Sequence, residues 1–221
     1  MDRTRNVIAE GVGTAFLLAA VVGSGIMGER LSGGNVALAL LANTLATGAA
    51  LFALIVTFGP ISGAHFNPAV TLAQASVGEM RWSEVPGYIV AQVVGAFVGV
   101  ASAHLMFGEP LFAASQHVRA GGPQLFSEFI ATFGLLAVIR GLRGRSDVAP
   151  FAVAAYIVGA YWFTASTSFA NPAVTLGRSF TDTFAGIRPQ DAPGFMAAQL
   201  AGAAAATLLF RIFKSEPSHV P

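Results

Sequence analysis

Long apolar runs dominate the hydrophobic pattern of this 221-residue chain. A helix that crosses a hydrocarbon core of ~30 Å needs about 20 predominantly apolar residues. Runs of suitable length are separated by short segments rich in glycine and charged residues, which are typical of turns. These runs lie at about 7–27, 36–58, 86–107, 124–140, 149–166 and 192–213. The pattern therefore predicts an all-α membrane protein with six transmembrane helices.

Two further apolar stretches are too short to cross a membrane. One follows Pro68 and the other follows Pro172, and each continues for about ten residues. Ten helical residues extend ~15 Å, about half the thickness of the hydrocarbon core. Each stretch is therefore predicted to enter the membrane and stop there, as a re-entrant half-helix.

Three sequence landmarks occur twice, in the same order. They are Glu-x-x-x-Thr, then Asn-Pro-Ala-Val-Thr-Leu, then Ala-Gln-x-x-Gly-Ala. The first copies begin at Glu10, Asn67 and Ala91, and the second copies at Glu128, Asn171 and Ala198. This order predicts one channel-like domain over 1–221, built from a repeat at about 1–108 and a second at about 120–214.

Each repeat holds three spans, and an odd number reverses the direction of the chain. The second repeat must therefore lie upside down in the membrane relative to the first. Inverted 3+3 repeats of this kind build transport proteins, whose functional site lies where the two halves meet.

The Asn-Pro-Ala sequence has the chemistry of a helix start. Asparagine is among the best helix caps, and proline suits the first helical position. In an inverted repeat, the two half-helices begin near the membrane midplane, where irregular backbone must be packed in protein or line a watery passage. We expect the asparagine amides to donate hydrogen bonds to a passing oxygen and the facing helix dipoles to repel cations. The predicted pore residues are Asn67, Pro68, Ala69, Asn171, Pro172 and Ala173.

Charge and composition narrow the class further. Only 10% of residues are charged and mean hydropathy is +0.66, whereas soluble domains are about a quarter charged. A net charge of +1 gives no basic field for nucleic acid. The chain contains no cysteine, no His-Glu-x-x-His and no Gly-x-Ser-x-Gly, so we expect neither an enzyme nor a metal site or cofactor.

The basic residues indicate the orientation. With the N-terminus in the cytoplasm, eight basic residues lie on that side and four lie outside, which fits the positive-inside rule. The inner group comprises Arg3, Arg5, Arg81, Arg140, Arg143, Arg145, Arg211 and Lys214, and the outer group Arg30, Arg119, Arg178 and Arg188.

With these motifs, the chain resembles the aquaporin and glycerol-facilitator channels, the major intrinsic proteins. The resemblance covers nearly the whole length and includes the order of the landmarks as well as their letters. It implies six spans plus two half-helices, one pore per subunit, a homotetramer in the plasma membrane, and both termini in the cytoplasm. It also implies that Glu10 and Glu128 accept hydrogen bonds from the re-entrant loops, and we expect His65 to support the first loop.

The chain departs from the family pattern directly after the second Asn-Pro-Ala. Most members have an arginine there, as part of an outer constriction, whereas this chain has Val174. Arg178 lies about one helical turn further on and is not assumed to replace it. The family's usual spacing puts the rest of the constriction at Thr47, Gly159 and Ser168, although a one-residue slip would substitute Gly48 or Ala160. We expect a wide, mildly polar opening without a fixed charge.

These features predict a passive channel for small neutral solutes. The missing arginine makes the chain most similar to bacterial channels associated with arsenic resistance, so the expected solutes are water, glycerol and arsenite. A water-selective channel is one alternative. The other is an ion-coupled transporter, which would need a charged midplane site, and Glu10 and Glu128 are the carboxylates well inside the spans.

Overall fold

The first half of the protein contains three long helices and one short one. A computed structural model describes residues 3–145 and 147–213. The first three spans are α1 (Arg3–Leu31), α2 (Val36–Ser62) and α4 (Val85–Phe107). Between the last two lies α3 (Pro68–Ser76), which has nine residues and is the predicted half-helix.

The second half repeats this order. It consists of α5 (Gly122–Gly141), α6 (Ala149–Phe163), the half-helix α7 (Pro172–Arg178) and α8 (Ala192–Phe213). The predicted all-α fold of six spans and two half-helices is confirmed in the described residues. The largest boundary difference is in α1, which begins before the apolar run and continues past it, because charged residues extend the helix at both ends.

Five of the six long helices are apolar and long enough to cross a membrane. The exception is α6, with 15 residues, which ends at Phe163 instead of continuing to the predicted 166. Large apolar side chains lie exposed on the outer surfaces of the helices, where lipid replaces water as the surroundings. Examples are Phe16, Val90, Phe151 and Leu208.

Close helix crossings hold each half together, and the Ala-Gln-x-x-Gly-Ala landmark explains them. α1 packs mainly on α4, and α5 packs mainly on α8. At Gly95 of α4, a β-carbon would collide with the backbone carbonyl of Gly11, and at Gly202 of α8 it would collide with that of Phe129. Small residues allow such close approach of helix backbones in lipid.

The basic residues divide between the two ends of the molecule. At one end, Arg3 donates to the Ser83 carbonyl at 2.7 Å and Arg143 pairs with Glu79 at 2.8 Å. At the other end, Arg30 pairs with Glu109 at 2.7 Å. Lys214, which the sequence assigns to the first end, lies outside the described residues.

Candidate functional site

Two loops meet at the centre of the molecule, each leading into a half-helix. Both loops contain residues in the left-handed backbone region, which side chains other than glycine rarely adopt. In the first loop Ala64 has φ 49° and Phe66 has φ 48°, and their counterparts Ser168 and Ala170 have φ 52° and φ 50°. Strained backbone of this kind is maintained only where the surroundings enforce it.

Buried carboxylates enforce the loop conformations. Glu10 accepts hydrogen bonds from the backbone N–H groups of His65 at 2.9 Å and Phe66 at 2.7 Å. Glu128 accepts from those of Phe169 and Ala170, both at 2.9 Å. Both carboxylates are fully buried. Because their oxygens are engaged by loop donors, neither carboxylate is a vacant site for a coupling ion.

Two glutamines complete this arrangement, although neither was among the predicted site residues. Gln92 Nε2 donates to Glu10 at 2.8 Å and to Thr71 Oγ1 at 2.9 Å. Gln199 Nε2 makes the same pair of bonds, to Glu128 at 2.6 Å and to Thr175 Oγ1 at 2.8 Å. The signal was present, because both glutamines belong to the repeated Ala-Gln-x-x-Gly-Ala landmark.

The half-helices begin as their sequences predict. The Oδ1 atom of Asn67 accepts from the backbone N–H of Ala69 at 2.9 Å, and proline occupies the first position of the helix. The Oδ1 atom of Asn171 accepts from Ala173 at 3.0 Å and from Val174 at 3.3 Å. Each side chain therefore caps its own helix through oxygen and leaves its amide nitrogen for other partners.

The asparagine amides also join the two halves. Asn67 Nδ2 donates to the carbonyl of Ala170, and Asn171 Nδ2 donates to the carbonyl of Phe66, both at 2.7 Å. An amide nitrogen carries two hydrogens. One is used in each cross-loop bond, so one N–H per asparagine remains for a solute.

A central cavity of about 180 Å³ borders both asparagines. The wall helices contribute mainly apolar side chains spaced four residues apart, which places them on one helical face. On α6 the lining extends from Ala149 to Tyr161, a length of ~18 Å at 1.5 Å per residue. The lining residues of the long helices are Leu17, Val21, Thr47, Leu51, Ile55, Leu135, Ile139, Ala149, Val153, Ile157 and Tyr161.

Three of the four predicted constriction residues line this cavity, namely Thr47, Ser168 and Val174. Gly159 does not. It is exposed on the outer surface of α6, and the nearest atoms to a β-carbon there belong to Phe163 at 3.9 Å. Two residues correspond to about 200° of helical rotation, so Gly159 lies opposite the face of Ile157 and Tyr161.

The side chain that reaches the cavity from this part of α6 is that of Tyr161. It is 3% exposed, and its hydroxyl lies 3.4 Å from Thr47 Oγ1. Neither Gly48 nor Ala160, the residues allowed by a one-residue slip, is part of the lining. The spacing from the motif did not identify Tyr161.

The expectation of an opening without fixed charge also needs correction. Arg178 lines the central cavity together with Val174. Its guanidinium carbon lies 3.3 Å from the centroid of the Phe169 ring, and its Nε donates to the Ala185 carbonyl. A positively charged side chain therefore borders the same cavity as Val174, four residues after the expected position.

The loops outside the membrane hold this region in place. Arg119 Nε donates to the Gly186 carbonyl at 2.8 Å, and its guanidinium carbon lies 5.0 Å from the centre of the Phe169 ring. Burial lowers the pKa of the Arg119 guanidinium, an effect opposed by the negative charge of Glu128. The Phe169 ring thus contacts two arginines, Arg119 and Arg178.

The rings of two histidines, His65 and His104, have hydrogen-bond partners. His65 Nδ1 lies 3.1 Å from Thr71 Oγ1, and the ring packs beside Tyr88 with centroids 5.4 Å apart. His104 Nε2 lies 2.7 Å from Thr181 Oγ1. His65 also borders the cavity, whereas His104 is buried away from it.

The fold and the cavity define the class, a membrane protein with a passage between two inverted halves. The major intrinsic protein family model matches residues 1–159. An aquaglyceroporin, AqpS of Rhizobium meliloti (strain 1021), is 54% identical over 211 residues, covering 95% of this chain and 90% of that protein. Aquaporin NIP1-3 of Oryza sativa subsp. japonica is 36% identical over 185 residues, covering 78% and 62% of the two chains.

A solved structure gives the same answer for the fold. The aquaglyceroporin from Plasmodium falciparum superposes with a TM-score of 0.73 at 22% identity, covering 97% of this chain and 96% of that one. The chain belongs to the major intrinsic protein family. It is a multi-pass membrane channel for small neutral solutes such as glycerol, and its relatives are channels, not enzymes.

Proposed function

We propose that this channel passes hydroxylated neutral solutes broader than water, including glycerol and the uncharged trihydroxide of trivalent arsenic, with water also passing. The outer opening is formed by Thr47, Tyr161, Ser168 and Val174. The main support for this proposal is Val174. The family usually has an arginine at this position, whereas this chain has a short apolar side chain. Removing the arginine from this position leaves more width for a solute with several hydroxyl groups.

The polar groups along the cavity support the choice of a hydroxylated solute. Asn67 and Asn171 each retain one amide N–H beyond the cross-loop hydrogen bond. Thr47 and Ser168 add hydroxyl-bearing residues to the same lining, while the walls contributed by the long helices are mainly apolar.

The cavity itself supports passive permeation. Its lining contains no aspartate or glutamate side chain among the described residues. The buried carboxylates Glu10 and Glu128 are engaged by the loops. An ion-coupled transporter needs a cation-coordinating site in the passage. Flux through this channel should accordingly be unchanged by a proton uncoupler.

The substitution Val174→Arg tests the width of the opening. In proteoliposomes followed by stopped-flow light scattering, we expect V174R to lower glycerol and arsenite flux by about tenfold or more while water flux stays within about twofold, because small solutes tolerate a narrower ring. The nearly isosteric V174T is the matched control and should keep all three fluxes. Undiminished glycerol and arsenite flux in V174R would show that position 174 does not limit solute size.

We also propose a homotetramer in the plasma membrane with both termini in the cytoplasm. The absence of native cysteine makes orientation directly measurable. Cysteine introduced at Val118, exposed in the loop before α5, should react with a membrane-impermeant maleimide in intact cells. Cysteine at Arg145, exposed in the loop before α6, should react only after lysis. The reverse labelling would invert the proposed orientation, and cross-linking in membranes tests the tetramer.

A further inference from the structure

Arg178 is the last residue of α7 and lies on the same face as the pore asparagine. Asn171, Val174 and Arg178 follow one another at spacings of three and four residues, which aligns them along one side of a helix. All three line the central cavity. A charged group is therefore built into the outer half of the passage, one helical turn from Val174.

The position of the guanidinium is fixed by contacts on two sides. Arg178 is 2% exposed, and its guanidinium carbon lies 3.3 Å from the centroid of the Phe169 ring. Its Nε donates to the Ala185 carbonyl, and its own carbonyl accepts from the Ile187 N–H at 3.2 Å. A planar guanidinium stacked on an aromatic ring tolerates burial better than an ammonium does, because it is more weakly hydrated.

The two terminal nitrogens of the Arg178 guanidinium have no protein partner among the described residues. Within residues 3–145 and 147–213, no carboxylate lies at ion-pair distance from Arg178 and its two terminal nitrogens make no hydrogen bond to protein. A guanidinium has five N–H donors. The Nε–H is used by Ala185, which leaves four N–H groups beside the cavity.

We propose that Arg178 is a cation barrier of this channel, in addition to the helix dipoles at the midplane, and that width and charge are controlled by different residues. Val174 leaves the opening wide, whereas Arg178 keeps it positive. An unpaired charge in a low-dielectric passage raises the energy of any cation that enters. This inference rests on the proposed function, since it assumes that neutral solutes pass beside Arg178.

Proteoliposomes containing the full-length channel test the barrier. Wild-type protein, R178Q, R178K and R188Q are compared for glycerol flux by light scattering and for proton flux with an entrapped pH-sensitive dye at a fixed membrane potential. R188Q is the matched control, because Arg188 is another outer-loop arginine and is paired with Asp191 at 2.9 Å. We expect R178Q to raise proton flux by about tenfold or more, with glycerol flux within about twofold, because a cation feels the lost charge and a neutral solute does not.

R178K keeps the positive charge, so its proton flux should be as low as that of the wild type. The same is expected of R188Q. The proposal is overturned if R178Q passes glycerol and remains proton-tight, or if R188Q leaks as much as R178Q. Should R178Q pass neither glycerol nor water, R178K decides, because a proton leak there contradicts a charge barrier and tightness supports it. Failure of the proposed function is separate, since it appears as wild-type glycerol flux no greater than that of empty vesicles.

Discussion

The half-helices α3 and α7 begin in the same way and end differently. At their starts, Asn67 and Asn171 cap the helix through Oδ1 and donate through Nδ2 to the opposite loop. At the end of α3, arginines from other helices donate hydrogen bonds to backbone carbonyl groups of the last turn. Arg140 donates to Ala73 at 2.8 Å, and Arg211 donates to Ser76 at 2.7 Å.

At the end of α7, backbone N–H groups of the loops before α5 and before α8 take that role. Ile187 donates to the Arg178 carbonyl at 3.2 Å, and Ser115 donates to the Ser179 carbonyl at 3.1 Å. The side chain of Arg178 is therefore not needed as a helix cap, and it lines the cavity. The corresponding residue of α3 is Gln74, which lines the opposite end of the cavity.

The difference shows which parts of a repeat are constrained by the shared midplane and which are not. The starts of the two half-helices bond to one another across the molecule, so a change in one copy disturbs the other. The ends of α3 and α7 contact different loops and are independent. A charged residue can therefore line one end of the cavity and a neutral one the other.

The largest effect is expected from the carboxylates that hold the midplane loops. Glu10→Ala removes the acceptor of Ser62, His65, Phe66 and Gln92, and each buried donor left unpaired costs about 1–3 kcal/mol. We expect no folded channel, measured as monodisperse yield and thermal unfolding in detergent. Glu128→Ala leaves fewer donors unpaired, so E128A should be less destabilised than E10A.

Glu109→Ala is the control for these two variants. Its side chain pairs with Arg30 at a partly exposed site, and such pairs contribute about 0–1 kcal/mol. E109A should therefore fold as the wild type does. Normal yield and unfolding temperature for E10A would contradict the role of the carboxylate in holding the first loop.

A smaller and symmetrical effect is expected at the pore asparagines. Asn67→Ala and Asn171→Ala each remove a helix cap, which costs about 0.5–2 kcal/mol, and one cross-loop hydrogen bond. Because the two loops form one bonded unit, the double variant should lose less stability than the sum of the single losses. Thermal unfolding of the three variants measures this. Additive losses would mean that the loops behave independently.

The ends of the half-helices should respond unequally. Arg140→Met removes a hydrogen bond from a charged group to the buried Ala73 carbonyl, which keeps the Ser76 hydroxyl as its other donor at 2.8 Å, and the loss should cost about 1.5–3 kcal/mol. Arg211→Gln acts at an exposed contact with the carbonyl end of α3, worth about 0.3–1 kcal/mol. Thermal unfolding should rank R140M below R211Q. The opposite ranking would show that burial does not decide the strength of these caps.

The sequence predicts the fold well, because apolar run length and the two Asn-Pro-Ala copies depend on local chemistry. The same holds for Glu10 and Glu128, whose burial in a span requires hydrogen-bond partners. The cross-loop bonds of Asn67 and Asn171 could not be predicted, since they depend on the distance between two loops far apart in sequence. The lining by Tyr161 depends on where α6 ends, and helix ends are weakly encoded in the sequence.

Arg178 illustrates the remaining gap. Its position one helical turn after Val174 was visible in the sequence, but the direction of its side chain was not. That direction follows from Phe169 and Ala185, which come from the loops before and after α7. Motif position alone predicts that no positive charge borders the cavity, because Val174 replaces the usual arginine. In the folded protein, Arg178 places a positive charge there from the next helical turn.

The smallest effect is expected at Gly159, where motif spacing and structure disagree. Gly159→Ala should leave water and glycerol flux unchanged, because the residue faces away from the cavity, and it should stabilise α6 by up to about 1 kcal/mol. Tyr161→Ala is the comparison, since it removes a lining side chain and should raise glycerol flux relative to water. Stopped-flow measurements on both variants distinguish the two placements. A changed solute ratio in G159A together with an unchanged one in Y161A would restore Gly159 to the constriction, and α6 would then have to be rotated by about half a turn from its position here.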